Sequence, residues 1–150
     1  MARELVHGTC VALGNRGALL RGDSGSGKSD LALRFLALPD DGELGLRLVA
    51  DDQVWVETKD GDRVVASAPA SIAGKIEVRG LGITEMPFLA EVPLMLVCDL
   101  VKSDQVPRMP PDPRAQTMIA GVALPSLKLS AFEASAPLKL RIALLQAAAQ

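Results

Sequence analysis

Gly22-Asp23-Ser24-Gly25-Ser26-Gly27-Lys28-Ser29 decides the reading of this chain. The stretch fits G-x-x-x-x-G-K-[ST] in full, and that spacing has a physical basis. Glycines admit backbone conformations closed to other residues. Successive N–H groups can then turn inward and form a nest for an anion. A helix starting near Lys28 adds the positive end of its dipole. Lys28 brings a mobile charge for the β and γ phosphates, and the Ser29 hydroxyl is a ligand for Mg2+. The expectation for Gly22, Asp23, Ser24, Gly25, Ser26, Gly27, Lys28 and Ser29 is a site for ATP and Mg2+. A chance match in a chain of this length has a probability on the order of half a percent.

The flanking sequence has the required order. Ala18-Leu19-Leu20-Arg21 reads as a short strand running into the loop, and residues 30–38 are good helix formers until Pro39 stops them. Upstream, Thr9-Cys10-Val11-Ala12-Leu13 and the turn cluster Gly14-Asn15-Arg16-Gly17 complete a hairpin. Downstream comes a polar loop with Asp40, Asp41, Gly42 and Glu43. Leu46-Arg47-Leu48-Val49-Ala50 is then a strand that ends at Asp51-Asp52. Residues 54–58 alternate as a strand, and Asp60-Gly61 turns the chain back through Arg63-Val64-Val65-Ala66. Residues 68–74 read as a connector. Ile76-Glu77-Val78-Arg79 alternates, which puts Glu77 and Arg79 on one face. Residues 92–100 form an apolar strand, and the proline-rich 107–113 a loop. Residues 136–149 read as a helix with an apolar stripe at Leu138, Ile142 and Leu145.

Length and composition set the frame. The chain has 150 residues, enough for one compact domain that buries about two-thirds of its unfolded surface. One domain over 1–150 is expected, with neither repeats nor a domain-scale linker. The net charge of −2 gives no basic excess to neutralise a nucleic-acid backbone. One Trp, three Phe and no Tyr leave few stacking platforms for single strands. Cys10 and Cys98 lie in apolar runs and read as buried thiols. The start MARELVHG does not read as a secretory signal, and no apolar run approaches the roughly 20 residues of a membrane helix. The expected location is the cytoplasm.

Phosphoryl transfer needs a metal ligand and often a base for the accepting hydroxyl. Asp51 and Asp52 follow a strand end, where α/β proteins place their sites. They also fit an ordinary turn-starting pair. Asp99 near the end of Met95-Leu96-Val97-Cys98-Asp99 is a rival for the metal. Glu77 and Arg79, taken alone, fit a solvated strand face. His7 is the sole histidine.

The order His7-Gly8, the loop at 22–29, Leu48-Val49-Ala50-Asp51-Asp52 and Ile76-Glu77-Val78-Arg79-Gly80-Leu81-Gly82-Ile83 resembles the C-terminal catalytic domain of HPr kinase/phosphorylase. The resemblance covers residues 5 to about 100. It implies an α/β P-loop variant similar to phosphoenolpyruvate carboxykinase, with a mixed central sheet and flanking helices. It also implies ATP- and Mg2+-dependent phosphorylation of a serine on HPr, the phosphocarrier of the sugar phosphotransferase system. Reversal by inorganic phosphate and a hexameric assembly come with it. Carried over by motif, Lys28 holds phosphates and Ser29 ligates Mg2+. Asp51 is the base for the serine and the acid in reverse, with His7 beside it. Asp52 and Glu77 serve the metal, and Arg79 lies in the signature. The chain looks like a short form that starts at the catalytic domain. The family also has a mobile loop with a catalytic arginine in a Pro-Gly-Arg context. The nearest match here is Leu124-Pro125-Ser126-Leu127-Lys128, and whether Lys128, Arg108 or Arg114 takes the arginine's place stays open. The helix that docks HPr in the family has no clear counterpart. Two other readings stay open: a small-molecule kinase using Asp99, and an ATP-sensing regulator without turnover.

Overall fold

The computed structural model describes residues 3–40 and 45–147. Asp41, Gly42 and Glu43 of the expected polar loop, and the last residues of the expected C-terminal helix, lie outside them. Among the described residues are eleven strands and two α-helices: β1 (Arg3–His7), β2 (Thr9–Leu13), β3 (Arg16–Arg21), α1 (Lys28–Leu36), β4 (Leu46–Ala50), β5 (Gln53–Lys59), β6 (Arg63–Ser67), β7 (Lys75–Val78), β8 (Gly82–Glu85), β9 (Glu91–Leu100), β10 (Gln116–Ile119), β11 (Val122–Leu129) and α2 (Ala136–Ala147).

Nine strands form one mixed sheet: seven follow the path β1-β5-β6-β9-β3-β2-β4, and β11 joins β9 off that path with β10 paired to it. The ten-residue β9 is its spine. β3 runs parallel along one side of β9. On the other side β6 pairs antiparallel with residues 91–93, and β11 pairs parallel with Val97–Leu100. A bulge opposite Gly17–Ala18 skips Met95 in the register. An extra residue exchanges the faces of a strand. Leu94 accordingly packs in one core cluster and Leu96 in the other. Gly17 is required there, since a Cβ would lie 2.6 Å from Val92 Cγ1 and 2.9 Å from the Pro93 carbonyl.

Both helices lie on one face. Leu31, Ala32 and Phe35 of α1 and Leu140 and Leu144 of α2 pack with Val11, Leu20, Leu48 and Cys98. Phe35 is fully buried, and truncating such a ring costs about 3–5 kcal/mol. The opposite face is closed by strand residues such as Val54, Val56, Val64, Ile119 and Leu124. The sheet thus curls over itself, where a doubly wound fold would place more helices.

Three expectations need correction. Leu138, Ile142 and Leu145 are exposed, at 47%, 54% and 43%; the packed face of α2 is Ala136, Pro137, Leu140 and Leu144. This helix carries apolar residues nearly all round, so periodicity could not select the face. Leu124-Pro125-Ser126-Leu127-Lys128 is no loop but lies within β11, with Lys128 opposite Asp99. β1, β8 and β10 were not anticipated; each is short, and Gln116–Ile119 and Gly82–Glu85 lack a strong alternating pattern. Residues 106–115 are irregular, as their prolines require.

Candidate functional site

The motif forms a loop between β3 and α1, as its sequence predicts. Gly25 and Gly27 take φ of 84° and 95°, values that L side chains resist. Gly22 is bare for another reason: a Cβ would sit 2.5 Å from Ser26 Oγ. Gly27 caps α1 without a side-chain bond. The first N–H groups of a helix have no partner within it, and α1 begins where the loop ends. Lys28 is 8% exposed, and its Nζ donates to the carbonyls of Gly22 at 2.8 Å and Asp23 at 3.1 Å. The charge is therefore held against the loop. Ser26 Oγ is buried with no hydrogen-bond partner among the described residues. A buried orphan hydroxyl inside such a loop fits a phosphate oxygen as its partner.

The second half of the site is a corner in the sheet. β1 and β2 run on through Gly8, and β4 and β5 run on through Asp51-Asp52. Gly8 N–H donates to the Asp52 carbonyl at 3.0 Å and ties the two bends together. A Cβ on Gly8 would come within 2.8 Å of the Leu20 carbonyl. Gln53 N–H donates to the Asp51 carbonyl at 2.8 Å, and Asp52 sits at φ 72°. A three-residue turn with its centre at positive φ is the strained form. It sends the adjacent carboxylates in different directions.

Asp51 turns inward and is 6% exposed. Its Oδ1 accepts from Ser29 Oγ at 2.6 Å and from Thr9 Oγ1 at 3.0 Å. Its Oδ2 accepts from the Glu77 backbone N–H at 3.1 Å. The start of α1, the β1–β2 bend and β7 thus meet on one carboxylate. Asp52 turns outward, and its Oδ1 lies 3.7 Å from His7 Nδ1, both side chains being largely exposed. The carboxylate partner of His7 is Asp52, not Asp51 as expected, because the strained turn separates the pair.

β7 and β8 form their own small hairpin. It is held at the edge strand β4, where Leu48 N–H donates to the Pro87 carbonyl at 3.2 Å and Leu89 N–H donates to the Leu48 carbonyl at 2.9 Å. This brings Glu77 to Asp51. Ile76 is buried, while Glu77 and Arg79 are exposed on the other face, as the alternation predicts.

Asp99 lies elsewhere. It ends β9 beside Arg21, which makes two bonds to it, Nε to Oδ1 at 2.9 Å and Nη2 to Oδ2 at 3.2 Å. Arg21 also reaches Thr117 Oγ1 at 3.4 Å. The carboxylate is neutralised by a fork-shaped partner and is not the one that joins Ser29. Arg108, Arg114 and Lys128 are exposed. Cys10 and Cys98 are fully buried; burial pushes both thiols up, helped at Cys98 by the charge of Asp99. They are protonated and inert at neutral pH.

Sequence reasoning missed Thr9, whose buried hydroxyl looks like any strand threonine in the sequence. Among the described residues no group of three or more His, Cys, Asp or Glu side chains converges. Mg2+ suits such a place, since it dehydrates reluctantly and is usually held by one or two protein oxygens plus phosphates. The Ser29 hydroxyl and the neighbouring carboxylate are hard oxygen donors of that kind. No helix among the described residues is long and apolar enough to cross a membrane.

Fold and loop together define an α/β protein with a P-loop kinase fold. The profile of the family described as HPr Serine kinase C-terminal domain matches residues 1–134, and the chain belongs to that family. Among curated relatives, the HPr kinase/phosphorylase of Levilactobacillus brevis is 39% identical over 84 residues, which cover 56% of this chain and 25% of that protein. The HPr kinase/phosphorylase of Geobacillus kaustophilus is 44% identical over 84 residues, again 56% of this chain and 25% of its own. The chain thus matches about a quarter of the length of these relatives. In fold it is similar to the solved Hpr(Ser) kinase/phosphatase from Coxiella burnetii, with a TM-score of 0.75, 23% identity, and coverage of 95% of this chain and 88% of that one.

Proposed function

We propose that this chain is an ATP- and Mg2+-dependent serine kinase domain acting on an HPr-like phosphocarrier, with reversal by inorganic phosphate as a second activity. The observation that carries the reading is the 2.6 Å hydrogen bond from Ser29 to the buried Asp51. It ties the phosphate loop to a carboxylate that the family resemblance assigns as base.

Lys28 and the N–H groups at the start of α1 would hold the β and γ phosphates of ATP, with Ser26 Oγ as a further donor. Ser29 would ligate Mg2+, with Glu77 and Asp52 serving the metal as the family resemblance implies. Bound Mg2+ supplies neutralisation of charge on the phosphates. Asp51 is suited to the carrier's serine by its bonding capacity. An ionised carboxylate has about four lone-pair sites, and the three donors on Asp51 leave room for one more O–H. Those donors fix the carboxylate, so an incoming serine would meet an oriented acceptor. In transfer Asp51 would take the serine proton, and in reversal it would return it. His7 would act on this centre through Asp52, and Arg79 would stand at its exposed rim.

We place the protein in the cytoplasm, as one domain over 1–150. The exposed apolar face of α2 supports a homo-oligomer, hexameric as in the family. Nothing in the charge of −2 favours nucleic acid as a partner.

The test is transfer of labelled γ-phosphate from Mg-ATP to a purified HPr-type carrier, with Lys28→Ala as control. Label on a carrier serine, lost in the variant, is expected. ATP binding without label on any carrier would sink the kinase reading in favour of a nucleotide sensor.

A further inference from the structure

A cleft of about 610 Å3 opens on one flank of the P-loop. Asp23, Ser24, Gly25 and Ser26 form one wall, the end of β9 and the chain beyond it (Leu100 to Ser103, with Gln105) form another, and Ser130 and Phe132 close it. Small-molecule sites fall in the range of about 300–1,000 Å3. Phe132 is 69% exposed. A single exposed phenylalanine means little by itself. What sets this one apart is how its main chain is held. Arg34 of α1 donates through Nη2 to the Ala131 carbonyl and through Nη1 to the Glu133 carbonyl at 3.2 Å. Its Nε is engaged by Asp30 at 2.9 Å. The turn is also closed internally by Glu133 N–H to the Ser130 carbonyl at 3.3 Å. Ala131 packs so closely on Gly27 that a Cβ there would lie 2.8 Å from it, and 3.1 Å from the Phe132 ring. The helix that begins at the phosphate site therefore clamps the chain on both sides of an aromatic ring and presents that ring to the cleft.

We propose that this cleft receives the nucleoside of ATP, with the Phe132 ring against the base; the proposal rests on the P-loop reading above. A ring face is an apolar platform for a base, and such stacking tolerates any base. Ser103 and Gln105 lie across the cleft and offer a hydroxyl and an amide to the polar groups of the nucleoside. Lys102, exposed at the same wall, adds a positive charge on the way to the phosphates. Arg34 is a positioning residue here, and Phe132 is the contact.

Binding of Mg-ATP and of Mg-tripolyphosphate, measured by calorimetry, separates the two halves of the site. The wild-type chain should bind both. Phe132→Ala should lose roughly ten- to a hundredfold in affinity for Mg-ATP, the usual worth of one stacked base, and bind Mg-tripolyphosphate unchanged. Phe132→Trp, which keeps a ring face, should retain Mg-ATP. Equal binding of Mg-ATP by wild type and Phe132→Ala would overturn the proposal. So would an equal loss of both ligands, which would make Phe132 a prop for the loop. If the wild type binds neither ligand, the P-loop reading itself fails and this inference falls with it.

Discussion

Asp51 and Asp99 both stand at or just beyond the end of a strand that belongs to the central sheet, and both are close in sequence order to what a P-loop protein needs. Their surroundings differ. Asp51 is buried and takes its bonds from hydroxyls and a backbone N–H, with Ser29 of the P-loop among them. Asp99 is a third exposed and is matched by the guanidinium of Arg21. The difference teaches that a strand end does not by itself make a catalytic carboxylate. Neutral donors leave the negative charge available to a substrate proton. A bidentate arginine consumes it.

Substitution by asparagine puts the comparison at risk. Asp51→Asn should cut carrier phosphorylation by about 10²–10⁴, the usual worth of general-base catalysis, while Mg-ATP binding changes little. Asp99→Asn should leave transfer near the wild-type rate. Its cost would show instead as a fall in stability of about 1 kcal/mol, because a partly exposed ion pair contributes in that range. Steady-state transfer and thermal unfolding on both variants decide the matter. The reverse pattern, with Asp99→Asn inactive and Asp51→Asn mild, would make Asp99 the metal ligand and put the alternative small-molecule kinase ahead.

Thr9→Val sharpens the same contrast at lower amplitude. Thr9 is fully buried and donates to Asp51. Valine keeps the shape and the β preference but removes a donor from a buried carboxylate. A loss of about 1–3 kcal/mol in stability is expected, read as a lower midpoint in denaturant with an unchanged slope. If Thr9→Val is as stable as wild type, Asp51 is better hydrated than its burial implies, and the argument from its three donors weakens.

The P-loop was legible because its geometry depends on residue types at fixed spacing within eight positions. Gly25 and Gly27 have the positive φ that the pattern implies. The strands on either side of Asp51-Asp52 and the alternation at Ile76–Arg79 were legible for the same local reason. What lay outside the sequence was everything set by distant contacts. Thr9 meets Asp51 across 42 positions, and Arg21 meets Asp99 across 78. The clamp of Arg34 on the Phe132 turn spans nearly 100. α2 shows the limit of periodicity, since its two faces were about equally apolar and the wrong one was chosen. Leu124–Lys128 was misplaced because it was matched to the family's mobile loop on little more than a Pro followed by a basic residue. In the fold Pro125 sits in β11, opposite Gln116 of the short β10.

The smallest effect separates Asp52 from its neighbour. Asp52 is exposed, its contact with His7 is long, and its backbone is at positive φ. Two roles compete for it, the charge and the turn. Asparagine removes the charge but tolerates this backbone about as well as aspartate, whereas alanine removes both the charge and that tolerance. If the turn dominates, Asp52→Asn should hold the wild-type melting temperature and Asp52→Ala should lose roughly 1 kcal/mol, the low end of the usual cost of a strained residue. Asp52→Gly should recover that loss, since glycine meets no penalty at this φ. Equal losses in all three would assign the stability to the carboxylate and its contact with His7. An exposed pair of this kind is worth at most about 1 kcal/mol and fades in high salt, so repeating the melts in salt would expose it.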